Sequence, residues 1–118
     1  MVLVDTSVWV AHLREGNIGL ASLLDEGLVM CHSFIIGELA CGNLRNRREI
    51  LSLLHALPMA THAEHEEVMQ FIENNGLMGK GLGYIDMHLL ASSRLTGVAL
   101  WTFDKKLKEA AKRLGVAP

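Results

Sequence analysis

The sequence predicts a three-layer α/β/α fold, a short parallel sheet with helices on both faces. Three observations lead there. Apolar runs at Val2-Leu3-Val4, Leu28-Val29-Met30-Cys31 and Val98 to Thr102 read as buried strands. The stretches between them carry apolar residues at helical spacing. With 118 residues, 50% of them hydrophobic, and two prolines, the chain suits one domain over 1–118 with a core of its own.

The elements follow in order. Strand one covers Val2 to Asp5, and a helix from about Ser7 to Arg14 carries Trp9, Val10 and Leu13 as apolar candidates. Glu15-Gly16-Asn17 stops it and caps a second helix, Ile18 to Glu26, which Gly27 closes as a left-handed C-cap. After the second strand, Ser33 is the expected cap of a helix from Phe34 to Cys41, ended by Gly42-Asn43. Ile50, Leu53 and Leu54 mark a helix from Arg47 to Ala56, and Leu57 to Ala60 reads as a short edge strand, since Pro58 lacks a donor. Thr61 is the expected cap of a helix from Ala63 to Asn74, with acids in its first turn. Gly76 to Gly83 holds four glycines and Lys80, and reads as a turning connection. Tyr84 to Leu95 is a strongly apolar helix that Gly97 ends. The last helix, Lys105 to Leu114, shows a stripe of Leu107, Ala110, Ala111 and Leu114.

Composition removes several classes. A net charge of -2 does not mark a bulk nucleic-acid binder, although Arg45, Arg47 and Arg48 cluster, as do Lys105, Lys106, Lys108, Lys112 and Arg113. Cys31 and Cys41 lie in apolar surroundings and read as buried thiols. The apolar runs are too short for a membrane span. The N-terminus lacks the basic segment of a signal peptide, so a cytoplasmic location is expected.

Four carboxylates stand in unusual places. Asp5 ends Val-Leu-Val; Glu38 is the lone charge in Phe-Ile-Ile-Gly-Glu-Leu-Ala-Cys; Asp86 sits in the first turn of an apolar helix; Asp104 follows Val-Ala-Leu-Trp-Thr-Phe. Taken singly, Asp5, Asp86 and Asp104 read as helix caps and Glu38 as a solvent-facing residue. Together they point elsewhere, because buried acids are rare unless paired and the sequence supplies no matching buried cations. In a parallel sheet the carboxyl ends of the strands share an edge, where ligands bind. Acids converging there repel unless a cation lies between them. Oxygen-only donors suit Mg²⁺ or Mn²⁺, which serve phosphodiester hydrolysis.

The stretches Val4-Asp5-Thr6-Ser7-Val8-Trp9, Glu38-Leu39-Ala40, Gly83-Tyr84-Ile85-Asp86-Met87-His88-Leu89-Leu90-Ala91 and Leu100-Trp101-Thr102-Phe103-Asp104-Lys105 resemble the PIN-domain ribonucleases. The likeness spans essentially the whole chain and is greatest to the toxin branch called VapC. It implies a Mg²⁺- or Mn²⁺-dependent endoribonuclease held inactive by a cognate antitoxin. Asp5, Glu38, Asp86 and Asp104 would then be the catalytic and metal-binding acids, with Ser7 and Thr102 supporting them. Where some members carry a further acid, this chain has Lys105 and Lys106. Lys80, Arg94, Lys105 and Lys106 are candidates to hold the RNA backbone. An apolar surplus on the first helices (Val8, Trp9, Leu13, Ile18, Leu23, Leu24) suggests a binding patch, for which the resemblance implies a homodimer and an antitoxin helix.

Other residues are left without a role. His62 and His65 form an H-x-x-H pair without a zincin glutamate, His88 lies across the helix from Asp86, and the glycines before Tyr84 follow no strand. Two rival functions stand beside the nuclease. An aspartyl-nucleophile phosphatase needs an acid two residues after Asp5, where Ser7 stands. A PIN-like interaction module without catalysis would not need the full acid set.

Overall fold

The computed structural model describes residues 1–118. Its elements are β1 (Val2–Val4), α1 (Thr6–Glu15), α2 (Ile18–Asp25), β2 (Val29–Met30), α3 (Ser33–Ala40), α4 (Arg47–His55), α5 (His65–Asn75), α6 (Tyr84–Thr96), β3 (Ala99–Trp101) and α7 (Lys105–Arg113). The three strands form one parallel sheet in the order β2-β1-β3. Val2 pairs with Val29 and Ala99, and Leu3 with Met30 and Leu100. The predicted α/β/α layering is what the chain adopts.

The central strand explains its own composition. β1 is hydrogen-bonded on both edges and covered on both faces, so all three of its residues are buried. A continuous apolar run is the pattern such a strand requires. Leu3 and Val4 meet Ile35, Leu89, Leu90, Leu100 and Leu107 in one core. The stripe on α7 also holds: Leu107, Ala110 and Ala111 are buried, with Leu114 packed at the margin.

Helix ends place the connections. Gly27 takes φ +71° after α2. Leu28 N–H bonds Leu23 O at 2.9 Å and Gly27 N–H bonds Leu24 O at 3.1 Å, the paired bonds of a Schellman motif. Two expected caps are replaced. His32, not Ser33, caps α3, its Nδ1 accepting the Phe34 N–H at 3.1 Å. Glu64, not Thr61, precedes α5, and its N–H is taken by Glu67 Oε1 at 2.9 Å. The Thr61 N–H is instead used by Thr96 Oγ1 at 2.9 Å, which leaves Thr61 outside the helix.

Three further expectations are corrected. Leu57 to Ala60 forms no strand, only a parallel bridge between Cys31 and Met59. Cys31 N–H bonds Pro58 O and Ala60 N–H bonds Cys31 O, both at 2.8 Å, and Pro58 has no N–H with which to extend the ladder. Cys41 is exposed just past α3, whereas Cys31 is buried and its thiol is pushed up to about 11 by burial. Val8 and Trp9 are core residues and unavailable as surface, while Ile18 is 90% exposed. No helix is long and apolar enough to cross a membrane.

Candidate active site

Parallel pairing brings the carboxyl ends of β1 and β3 to one edge, and Asp5 follows β1 there. Its N–H bonds Trp101 O at 2.8 Å, which continues the ladder one residue past the strand. The side chain, 6% exposed, has no basic partner; three donors converge on Oδ2 instead. These are the Ser7 hydroxyl at 2.7 Å, the Thr102 hydroxyl at 2.8 Å and the Ser7 N–H at 3.3 Å. Both hydroxyls accept in turn: Ser7 Oγ takes the Phe103 N–H and Thr102 Oγ1 takes the Asp104 N–H, each at 3.0 Å. Residues almost a hundred positions apart are thus locked around one carboxylate oxygen, and the chain after β3 is fixed relative to α1.

The other three acids repeat the arrangement. Asp104 caps α7, with Oδ1 accepting the Leu107 N–H at 2.9 Å. Asp86, half-buried in the first turn of α6, takes the Gly83 N–H on Oδ2 at 2.9 Å. Exposed Glu38 on α3 receives the Thr6 hydroxyl on Oε1 at 2.7 Å. Each carboxylate commits one oxygen to positioning and keeps the other without a hydrogen bond. The cap reading of Asp5, Asp86 and Asp104 is therefore correct for one oxygen of each and silent on the second. The solvent-facing reading of Glu38 is likewise right about exposure, but the side chain is anchored.

Electrostatics tie three of the acids together. The Asp86 carboxyl is held above its usual value of 3.8. Burial is the largest cause, partly offset by the Gly83 N–H, and the charges of Asp5 and Asp104 add to it. A cation among them would relieve this. No three His, Cys, Asp or Glu side chains are grouped closely enough to hold a metal ion by themselves. The donors offered are carboxylate oxygens alone. That set fits a hard divalent cation such as Mg²⁺, which retains several waters and is held by one or two carboxylates plus substrate phosphate.

The basic candidates divide. Lys106 lies over Gly81, its ammonium and outer methylenes occupying the space that a Cβ at Gly81 would take. Gly81, at φ +76°, is required both for backbone shape and for this approach. Lys80 is the neighbouring residue of the same loop, which leads into α6. Lys105 is exposed beside Asp104. Arg94 does not belong with them. It lies in the last turn of α6, about 12 Å along the axis from Asp86. Its guanidinium donates to Leu114 O at 2.7 Å and sits 6.0 Å from the Phe71 ring, so it is a structural clamp.

Sequence reasoning missed two features. Thr6 orients Glu38 across 32 positions, and nothing local in the sequence signals that bond. A groove of about 620 Å³ runs from Thr6 and Glu38 between α1 and α4, lined by Val10, Leu13, Arg14 and Arg45 among others. Arg45 had carried a signal, the basic cluster; its neighbour Arg47 is occupied in bonds to Ala40 O at 2.6 Å and Gly42 O at 3.2 Å.

Residues 2–113 match the family model described as the PIN domain. The chain is also 44% identical over 118 residues to Ribonuclease VapC32 from each of two strains of Mycobacterium tuberculosis. That overlap takes in 99% of this chain and 95% of the relative.

Proposed function

The chain belongs to the PIN-domain family, and from that premise we propose that it is a metal-dependent endoribonuclease of the VapC kind, the toxin of a toxin–antitoxin pair. The observation that carries the reading is the division of labour within each carboxylate. Asp5, Glu38, Asp86 and Asp104 each spend one oxygen on the fold and leave one unbonded. The charges of Asp5 and Asp104 also act on the Asp86 carboxyl, as a shared site for these acids would require.

In this reading the four acids hold Mg²⁺, with Mn²⁺ as a substitute. When bound, the cation supplies Lewis acidity for hydrolysis of a phosphodiester. The chain's own residues do the positioning. Ser7 and Thr102 fix Asp5, Thr6 fixes Glu38, and the Gly83 N–H fixes Asp86. Lys80, Lys105 and Lys106 hold the RNA backbone at the rim. The chain acts as one domain in the cytoplasm. The groove beside Glu38 suits an antitoxin helix that lays apolar residues on Val10, Leu13 and Ile50 and blocks the acids. Exposed Ile18, with half-buried Leu23 and Leu24, is left for a second copy in a homodimer.

A nuclease assay on fluorescent RNA, with EDTA as control, tests the reading. Cleavage that needs added Mg²⁺ or Mn²⁺ supports it. Hydrolysis of small phosphomonoesters without RNA cleavage would favour the phosphatase. RNA left intact under every metal would favour the interaction module.

A further inference from the structure

The groove beside Glu38 combines an apolar lining with two spare cations. On α1, Thr6, Val10, Leu13 and Arg14 fall at i, i+4, i+7 and i+8, so one face of the helix forms one side of it. Arg14 stands about 12 Å along that face from Thr6, which holds Glu38. Leu44 and Arg45, from the segment between α3 and α4, and Ile50 of α4 build the other side. Arg14 and Arg45 are the only cationic side chains in the lining.

The fold uses neither of them. Arg47 is the arginine that closes α3, donating to Ala40 O at 2.6 Å and to Gly42 O at 3.2 Å. That clamp, with the left-handed turn at Asn46 (φ +52°), fixes the segment that presents Arg45. Arg45 and Arg14 are exposed and make no hydrogen bond or ion pair within the chain. Unpaired guanidinium groups beside an apolar strip suit an acidic peptide better than RNA. A ribose–phosphate strand would meet the arginines and leave Val10, Leu13, Leu44 and Ile50 uncovered. An amphipathic helix with carboxylates flanking its apolar stripe covers the lining and offers each arginine a bidentate partner.

We propose that Arg14 and Arg45 select the occupant of the groove, an antitoxin helix that carries Asp or Glu beside its apolar stripe. The inference rests on the toxin reading and adds to it the chemistry by which the partner is chosen. An apolar lining accepts any amphipathic helix of suitable width and does not discriminate by itself. With the arginines in place, a helix with neutral flanks forgoes the charged bonds, and one with lysines there meets like charge.

The test uses the wild-type chain and a series of stapled helical peptides of about four turns, each with one leucine stripe. In half of the series a pair of glutamates is walked along the flanks of the stripe; in the other half lysines replace them. Fluorescence anisotropy of the labelled peptides reads affinity. The best glutamate peptide should bind at least about ten-fold tighter than its lysine twin, the worth of one charge-assisted hydrogen bond. Arg14→Glu combined with Arg45→Glu should invert that preference, and each change alone should reduce it. Arg48→Glu, on α4 and outside the lining, should leave it unchanged. A thermal melt confirms that each variant is folded. Equal binding of the twins, no binding by any peptide, or a preference that survives the double reversal would overturn the proposal. If the double reversal instead lowers RNA affinity and its salt dependence while the peptide preference stays, the arginines serve RNA and the proposal falls. Metal-dependent RNA cleavage by wild type would still support the nuclease in each of those cases. A wild type that cuts no RNA yet prefers the glutamate peptides would sink the nuclease reading and support the selectivity of the groove.

Discussion

At Asp86 the two readings of a strand-edge acid meet in one side chain. Oδ2 closes the first turn of α6 through the Gly83 N–H, and Oδ1 is free. Asparagine preserves the acceptor and removes the charge, so Asp86→Asn separates structure from chemistry. Cleavage should fall at least about 100-fold, beyond what loss of an outer-shell partner costs. Asp5→Asn should behave alike in the same rate assay. The pH profile gives a second check. A protonated carboxyl is a poor ligand, and burial together with Asp5 and Asp104 raises the Asp86 value. Activity should therefore rise with pH along a limb that lies above 3.8, the ordinary value. Thr6→Val should reduce the rate by about 10- to 100-fold by releasing Glu38, and Thr6→Ser should restore it.

Elements were the most legible scale, and their ends the least. Periodicity together with stop and cap residues located every helix, because each buries apolar residues. The caps at His32 and Glu64 were hidden for a physical reason. Which side chain closes a helix depends on what else competes for it, and Ser33 is bonded to His62 while Thr61 is drawn toward Thr96. The four acids were legible as anomalies; the Thr6–Glu38 bond, the groove beside it and the misplacement of Arg94 were not, since each depends on tertiary packing. The cap of α3 carries its own prediction. Burial is the main cause that holds His32 down at about 4, with His62 and His88 adding to it, against 6.5 for the free group. Its Nδ1 accepts the Phe34 N–H, so a proton there would break the cap. A histidine with a depressed folded value contributes stability above pH 6.5, lost as pH falls toward about 4. The loss should be roughly 3 kcal/mol, since each pKa unit is worth about 1.4. Urea titrations across that range should show it, and His32→Asn, which keeps a capping oxygen, should flatten the dependence.

For the whole molecule, distribution of charge matters more than its sum. The chain is net negative, yet Lys106 lies over Gly81, Lys80 precedes that glycine in the loop, and Lys105 follows Asp104. Phosphate contacts release counterions, so RNA affinity should fall with salt, and Lys106→Ala should reduce the logarithmic slope by about 1. The decisive property is still whether the acids act as one metal site. Without a cation, the charges of Asp5 and Asp104 disfavour the ionised Asp86. A cation that binds only the assembled edge should stabilise it by mass action. The measurement is a thermal melt of wild type and Asp86→Asn, each in EDTA and in excess Mg²⁺. Mg²⁺ should raise the wild-type midpoint clearly and that of Asp86→Asn much less, with Asp86→Asn melting at or above wild type in EDTA. Equal Mg²⁺ shifts in the two proteins, or an Asp86→Asn protein that melts well below wild type in EDTA, would contradict the account and leave Asp86 a structural cap.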